Sequence, residues 1–177
     1  MKILCCFAAV FLGMTLQDMP PLPYNDVGAC PFECCHYGAW TALKPIIARQ
    51  TNRSKSAVAF QIKIGEKVNE LTGIVITRKP GAVRMQKAYR FGTFSVPAGA
   101  LLYTLHHGGE GSTLFWFNGK PHWGQLYADS VHKGTVDYPW DVLSIPQTEW
   151  WVKVRTQSGA IGWILTPHDF QGMDSCS

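Results

Sequence analysis

The sequence predicts an all-β protein of two small barrels packed together, and three observations carry that prediction. Apolar runs of roughly five to eight residues recur along the chain with turn signals about every 8–12, the spacing of small antiparallel barrels. Residues 150–164, WWVKVRTQSGAIGWI, read as a half-buried hairpin. There Trp150, Val152 and Val154 alternate with Trp151, Lys153 and Arg155, the period of two expected when one strand face is buried. Finally, Cys30, Cys34, Cys35 and Cys176 stand at the two ends of the strand-rich region, as a disulfide framework would place them.

The elements follow in order. Lys2 and the nearly unbroken apolar residues 3–16 have the make-up of a cleaved signal peptide, too short for the roughly 17–25 residues of a membrane span. Cleavage is expected near Gln17, with Cys5 and Cys6 removed and no membrane span left in the mature chain. Residues 18–29 form a Pro-, Gly- and Asn-bearing leader with little core potential, and Pro20-Pro21-Leu22-Pro23 reads as a spacer. From Trp40 the chain is strand-like, with turns at 51–56, at Gly65-Glu66-Lys67 and at Pro80-Gly81. A short helical turn is expected only at 38–42. The pattern restarts at Phe94, and Asn118-Gly119 is a strong hairpin signal. Residues 120–148 lack clean alternation and read as a long aromatic insertion. Gly162 before Trp163 marks a close backbone approach. The expected units are therefore 1–17, 18–29, a first barrel over 30–90 and a second over 91–177.

In an exported chain, four remaining cysteines imply two disulfides, and three pairings are possible. Adjacent Cys34 and Cys35 would be strained as partners. Cys176 is therefore expected to join one member of the N-terminal cluster while the other two pair locally. Such a long-range bridge restricts the unfolded chain, worth about 2–4 kcal/mol. Cysteines so closely spaced suit tetrahedral zinc poorly, and no metal or cofactor is expected.

Residues 96–99 (VPAG), 109–111 (GEG), 116–120 (WFNGK) and the 150–164 hairpin together resemble the exported SH3-like domains of bacterial envelope proteins. The opening CPFECC with Tyr37 and Trp40 is similar to the start of other exported proteins of that type. The resemblance covers roughly 30–176. It implies SH3-like barrels and a non-catalytic module that binds an envelope component or a peptide.

Charge and aromatic residues nominate two candidate surfaces. Residues 44–90 contain eleven Lys or Arg (Lys44, Arg49, Arg53, Lys55, Lys63, Lys67, Arg78, Lys79, Arg84, Lys87 and Arg90) against Glu66 and Glu70, a net +9. Arg49, Arg53, Lys55, Arg78, Lys79 and Arg84 are the candidate face for an anionic ligand such as peptidoglycan or another cell-wall glycan. Export argues against nucleic acid. Trp116, Trp123, Tyr127, Tyr138, Trp140 and Trp151 are the candidates for an aromatic groove. Of these, Trp123, Tyr138 and Trp140 are expected to be exposed because they sit among Gly, His, Asp and Pro. A second partner class is an envelope protein, inhibited or neutralised through the aromatic insertion. If residues 52–54 (NRS) enter a eukaryotic secretory route, they form a glycan acceptor. Histidines 36, 106, 107, 122, 132 and 168 read as polar surface. No nucleophile turn, phosphate loop or His-Glu-x-x-His motif occurs.

Overall fold

The computed structural model describes residues 19–134, 137–165 and 169–176. The expected signal segment 1–17 and His168 lie outside these residues. The described residues form no helix and fifteen strands. These are β1 (Tyr24–Val27), β2 (Ala39–Ala42), β3 (Ile46–Arg49), β4 (Val58–Ile62), β5 (Lys67–Lys79), β6 (Ala82–Met85), β7 (Tyr89–Phe91) and β8 (Phe94–Val96). They continue as β9 (Leu101–Gly109), β10 (Ser112–Phe117), β11 (Lys120–Gln125), β12 (Trp140–Ser144), β13 (Gln147–Thr156), β14 (Ile161–Leu165) and β15 (Phe170–Gln171). Among the described residues no helix is long and apolar enough to cross a membrane.

An eight-stranded sheet curls into a half-barrel in the order β15-β2-β5-β13-β14-β3-β4, with β1 beside the second half of β5. A five-stranded sheet runs β11-β10-β9-β6-β12, and β7 and β8 form a separate pair. The strands of 30–90 and those of 91–177 therefore do not sort into one sheet each. β13 and β14, the hairpin expected to close the second barrel, complete the first sheet, while all five strands of the second sheet lie within 82–144. Alternation tells a strand which face it buries, but it does not name the partner strand.

The two sheets have two cores. In the half-barrel, Trp40, Ala48, Ile62, Val68, Val75, Trp150, Val152, Val154 and Ile164 pack together. Trp40 is fully buried, its ring 6.1 Å from Trp150 and 5.6 Å from Phe170, with Nε1 donating to the His36 carbonyl. Burying an indole of this size contributes about 4–6 kcal/mol as an upper bound. The second core gathers Val83, Met85, Phe91, Leu102, Phe115, Leu126, Trp140 and Val142.

Several local expectations hold. Asn118 and Gly119 take φ of 50° and 77° in the β10–β11 turn, the left-handed pair that a two-residue hairpin requires. A Cβ at Gly162 would stand 2.9 Å from Ala48 Cβ, so β14 and β3 meet closely there. Cys30 pairs with Cys35 and Cys34 with Cys176, each with Cα atoms 5.6 Å apart, one bridge local and one long-range. Two expectations fail. The leader contributes β1, whose Asn25, Asp26 and Val27 face Ile76, Val75 and Ile74 of β5. Residues 39–42 are β2 rather than a helical turn, because β5 offers that segment a ladder partner.

Gly81 sits where the chain passes from one sheet to the other. A Cβ there would lie 2.2 Å from Thr104 Oγ1, 2.6 Å from the Ser144 carbonyl oxygen and 2.8 Å from the Pro146 nitrogen. Two of those three obstacles are backbone and cannot swing aside. Gly81→Ala is expected to destabilise the protein by about 1–3 kcal/mol, the cost of overpacking, read as a lower denaturant midpoint at an unchanged slope.

Inside the half-barrel, Glu70 is only 7% exposed, and its Oε2 accepts from the Gly38 N–H while Oε1 has no partner. Burial pushes its pKa up from 4.5 to about 8, against the backbone N–H groups that favour the anion. The folded protein thus holds a proton that the unfolded chain releases above pH 4.5. The contribution of this group is full below pH 4.5 and falls as pH rises toward 8, by at most about 1.4 kcal/mol per unit. In Glu70→Gln that slope is expected to flatten, leaving the variant more stable than the parent at pH 8 in denaturant titrations.

Candidate functional site

The site forms where the five-stranded sheet joins the half-barrel. β5 ends at Lys79 opposite Gln147 of β13, so the chain leaves and re-enters the half-barrel at one place. Gly81 and Thr104 exchange backbone hydrogen bonds of 2.9 and 3.1 Å, and the buried Thr77 hydroxyl donates to the Leu105 carbonyl at 2.8 Å. These bonds press β9 against the end of β5 and bring His106 and His107 to the junction. The loop closed by Cys30–Cys35 covers the same place, its Phe32 ring edge-on to Trp150 at 5.6 Å.

A cleft of about 600 Å³ opens there. Phe32, Pro146, Trp150 and Met173 give it apolar walls, and His107 and Asp129 give it polar ones. A second hollow of about 510 Å³ shares His107 and Asp129 with the first and adds Glu33, Glu110 and Tyr127. The two hollows adjoin at these shared residues, and together they are called the groove. Its concave form, apolar walls and few convergent polar groups are the usual attributes of a ligand site.

The two histidines have different roles. His106 is 3% exposed, and both of its ring nitrogens face acceptors: Nε2 meets Asp26 Oδ2 at 2.7 Å and Nδ1 meets the His107 carbonyl at 2.9 Å. The ring ties β1 to β9 through Asp26. His107 Nδ1 lies 3.2 Å from the Thr113 hydroxyl, which already donates to the Leu126 carbonyl at 2.6 Å. Thr113 can then only accept from the ring, so the His107 proton sits on Nδ1. Nε2 is left as a lone pair with no hydrogen bond among the described residues. Burial lowers the His107 pKa and the neighbouring His106 adds to this, against the opposing pull of Asp129; the net shift favours the neutral ring.

The aromatic candidates do not converge. Tyr127 is 43% exposed and borders the second hollow. Trp123, exposed as expected, stands edge-on to His106 at 5.3 Å and lies over Gly108. Trp116 packs edge-on to Tyr24. Tyr138 is half-buried between Tyr127 and Trp140, a stack with successive centroids 5.5 Å apart that folds the insertion onto its own sheet. Trp140, expected to be exposed, is buried at 2%, because its pairing with Met85 turns the ring into the second core. Trp151 is buried at 1% on the face of β13 opposite Trp150, against Ile74 and Ile76, with Nε1 bonded to Glu149. Neither indole lines the groove; Trp151 borders a separate, smaller hollow with Lys44, Arg49 and Asp169.

The basic run does not make one face either. Arg49, Arg53 and Lys55 lie on the β3–β4 hairpin, where Arg49 donates to the Ser56 carbonyl. Arg78 forms a two-bond pair with Glu149 at 3.0 and 3.1 Å, and Lys44 pairs with Asp169. Lys79 stands at the end of β5, while Arg84 belongs to the other sheet, opposite Asp141. The groove residues Phe32, His107 and Asp129, with Asp26 and Thr113 that hold the two histidines, were not legible as a site. Each is an ordinary residue of its segment, and only the nested connectivity brings them together.

Cys34, Cys176 and Asp174 lie within ligand reach of one another, but both sulfurs belong to the bridge and are not thiolates. No protein family, curated protein or solved structure matches the chain. The tautomer assignment is testable: 15N spectra at pH 7 are expected to show His107 protonated at Nδ1. Thr113→Val is expected to shift it toward the Nε2-protonated form.

Proposed function

We propose that the protein is a non-catalytic binding module, built on small SH3-like barrels and exported after removal of residues 1–17, that holds an extended ligand in the groove. The observation carrying this reading is the groove itself, preformed at the joint of two sheets and fastened over its apolar side by the Cys30–Cys35 loop. The disulfide-distance pairs suit an oxidising compartment, periplasmic or extracellular. Binding rather than catalysis is supported by the hydrogen bonds of the two histidines. His106 is spent on Asp26, and the Thr113 hydroxyl gives its proton to Leu126 rather than to His107, the reverse of an activated nucleophile.

The first ligand to consider is peptidoglycan, contacted through the groove rather than through the dispersed basic residues. A second reading, an envelope protein as partner, is supported by exposed Trp123, Tyr127 and Val131 at and beside the insertion. Co-sedimentation with isolated peptidoglycan sacculi tests the first. The parent protein is expected to pellet. Ile145→Arg and Thr148→Arg, both at exposed positions lining the groove, are expected to stay in solution, while Arg53→Glu and Lys55→Glu behave as the parent. Pelleting of the groove variants at the parent level would exclude the groove.

A further inference from the structure

The chain carries a net charge of +4, yet neither hollow is lined by a lysine or arginine. The charged and imidazole groups that the groove presents are acceptors. Asp129 offers a carboxylate, His107 offers the Nε2 lone pair fixed by Thr113, and Glu33 and Glu110 border the second hollow. His106, the other imidazole there, is closed off by Asp26 and the His107 carbonyl, while Trp150 Nε1 is a buried N–H with no acceptor among the described residues.

We propose that the groove selects an extended peptide bearing a primary ammonium on a methylene stem, as in lysine or another diamino acid, seated between His107 and Asp129. This rests on the reading of the groove as a binding site and adds the class of group it selects. The apolar walls of Phe32, Pro146, Trp150 and Met173 suit the methylenes, and the polar pair suits the head. An ammonium has three freely rotating donors and can address a ring nitrogen and a carboxylate at once. A bare divalent cation is disfavoured: Asp129, Glu33, Glu110 and His107 are not among the described groups whose ligand atoms converge within 4.8 Å. The second hollow adjoins at His107 and Asp129, so neighbouring residues of the peptide would run toward Tyr127, with Glu33 and Glu110 alongside.

The test is an NMR titration of the full mature protein with three capped tripeptides, Ala-Lys-Ala, Ala-Gln-Ala and Ala-Glu-Ala. A chitosan oligomer supplies the amine on a sugar instead. The lysine peptide is expected to move the His107 ring signals and to bind at least about tenfold tighter than the glutamine peptide, with the preference shrinking as salt is added. Asp129 is exposed, so Asp129→Asn should keep the fold while abolishing the preference, and Asp129→Glu should retain it. Equal binding of the three peptides, tighter binding of the glutamate peptide, an unaltered preference in Asp129→Asn, no peptide binding, or binding of the chitosan oligomer alone would overturn the proposal. If sacculi binding still depends on Thr148 and Ile145, such a result removes the ammonium selectivity and leaves the groove; loss of that dependence removes both.

Discussion

The ladder between β5 and β13 organises the molecule. It runs from Gln147 opposite Lys79 to Thr156 opposite Val68, with two register shifts, and joins segments some seventy residues apart in sequence. The other edge of β5 takes β2 along its first half and β1 along its second, while β13 carries β14 and, through it, β3 and β4. On one face of the ladder the buried side chains Val68, Val75, Trp150, Val152 and Val154 are also the middle of the larger core. A segment bounded by two paired residues, Lys79 and Gln147, can form a second sheet without disturbing the first.

The groove is a by-product of that joint. Where one sheet grows out of another, neither can cover the root completely, and side chains from several elements meet without filling the space. The protein closes part of the gap with a disulfide loop and braces the rest with buried polar contacts, Thr77 to Leu105 and His106 to Asp26. The bracing decides the chemistry. With His106 and Thr113 both committed to carbonyl or carboxylate oxygens, His107 is the one ring at the joint left with a lone pair.

The features legible in the sequence were those fixed by neighbouring residues. The 150–164 hairpin, the Asn118-Gly119 turn, the tight approach at Gly162 and the split of the cysteines into one local and one distant pair follow from local sterics and spacing. Which sheet the final hairpin joins was not legible, because a period of two is satisfied by any partner with an apolar face. The fate of Trp140 was hidden for a related reason. Its polar neighbours suggested exposure, but register with Met85 decided burial. The +9 run failed as a surface because its residues are dealt to two sheets and some meet acids distant in sequence, Arg78 with Glu149 and Lys44 with Asp169. Glu70 escaped notice as a core acid, since nothing local distinguishes it from the solvent-facing Glu66.

The nested connectivity also sets a timetable for oxidation. A chain emerging from its N-terminus presents Cys30, Cys34 and Cys35 together long before Cys176 exists. Throughout that interval three thiols share one short segment, and the bridge formed first is open to exchange with the neighbour left over. The native choice of Cys35 for Cys30 becomes final only when the last strands have brought residue 176 back beside Cys34, where the Ser175 N–H and hydroxyl both donate to the Cys34 carbonyl. Docking of the C-terminal segment on Cys34 thereby leaves Cys35 as the partner of Cys30.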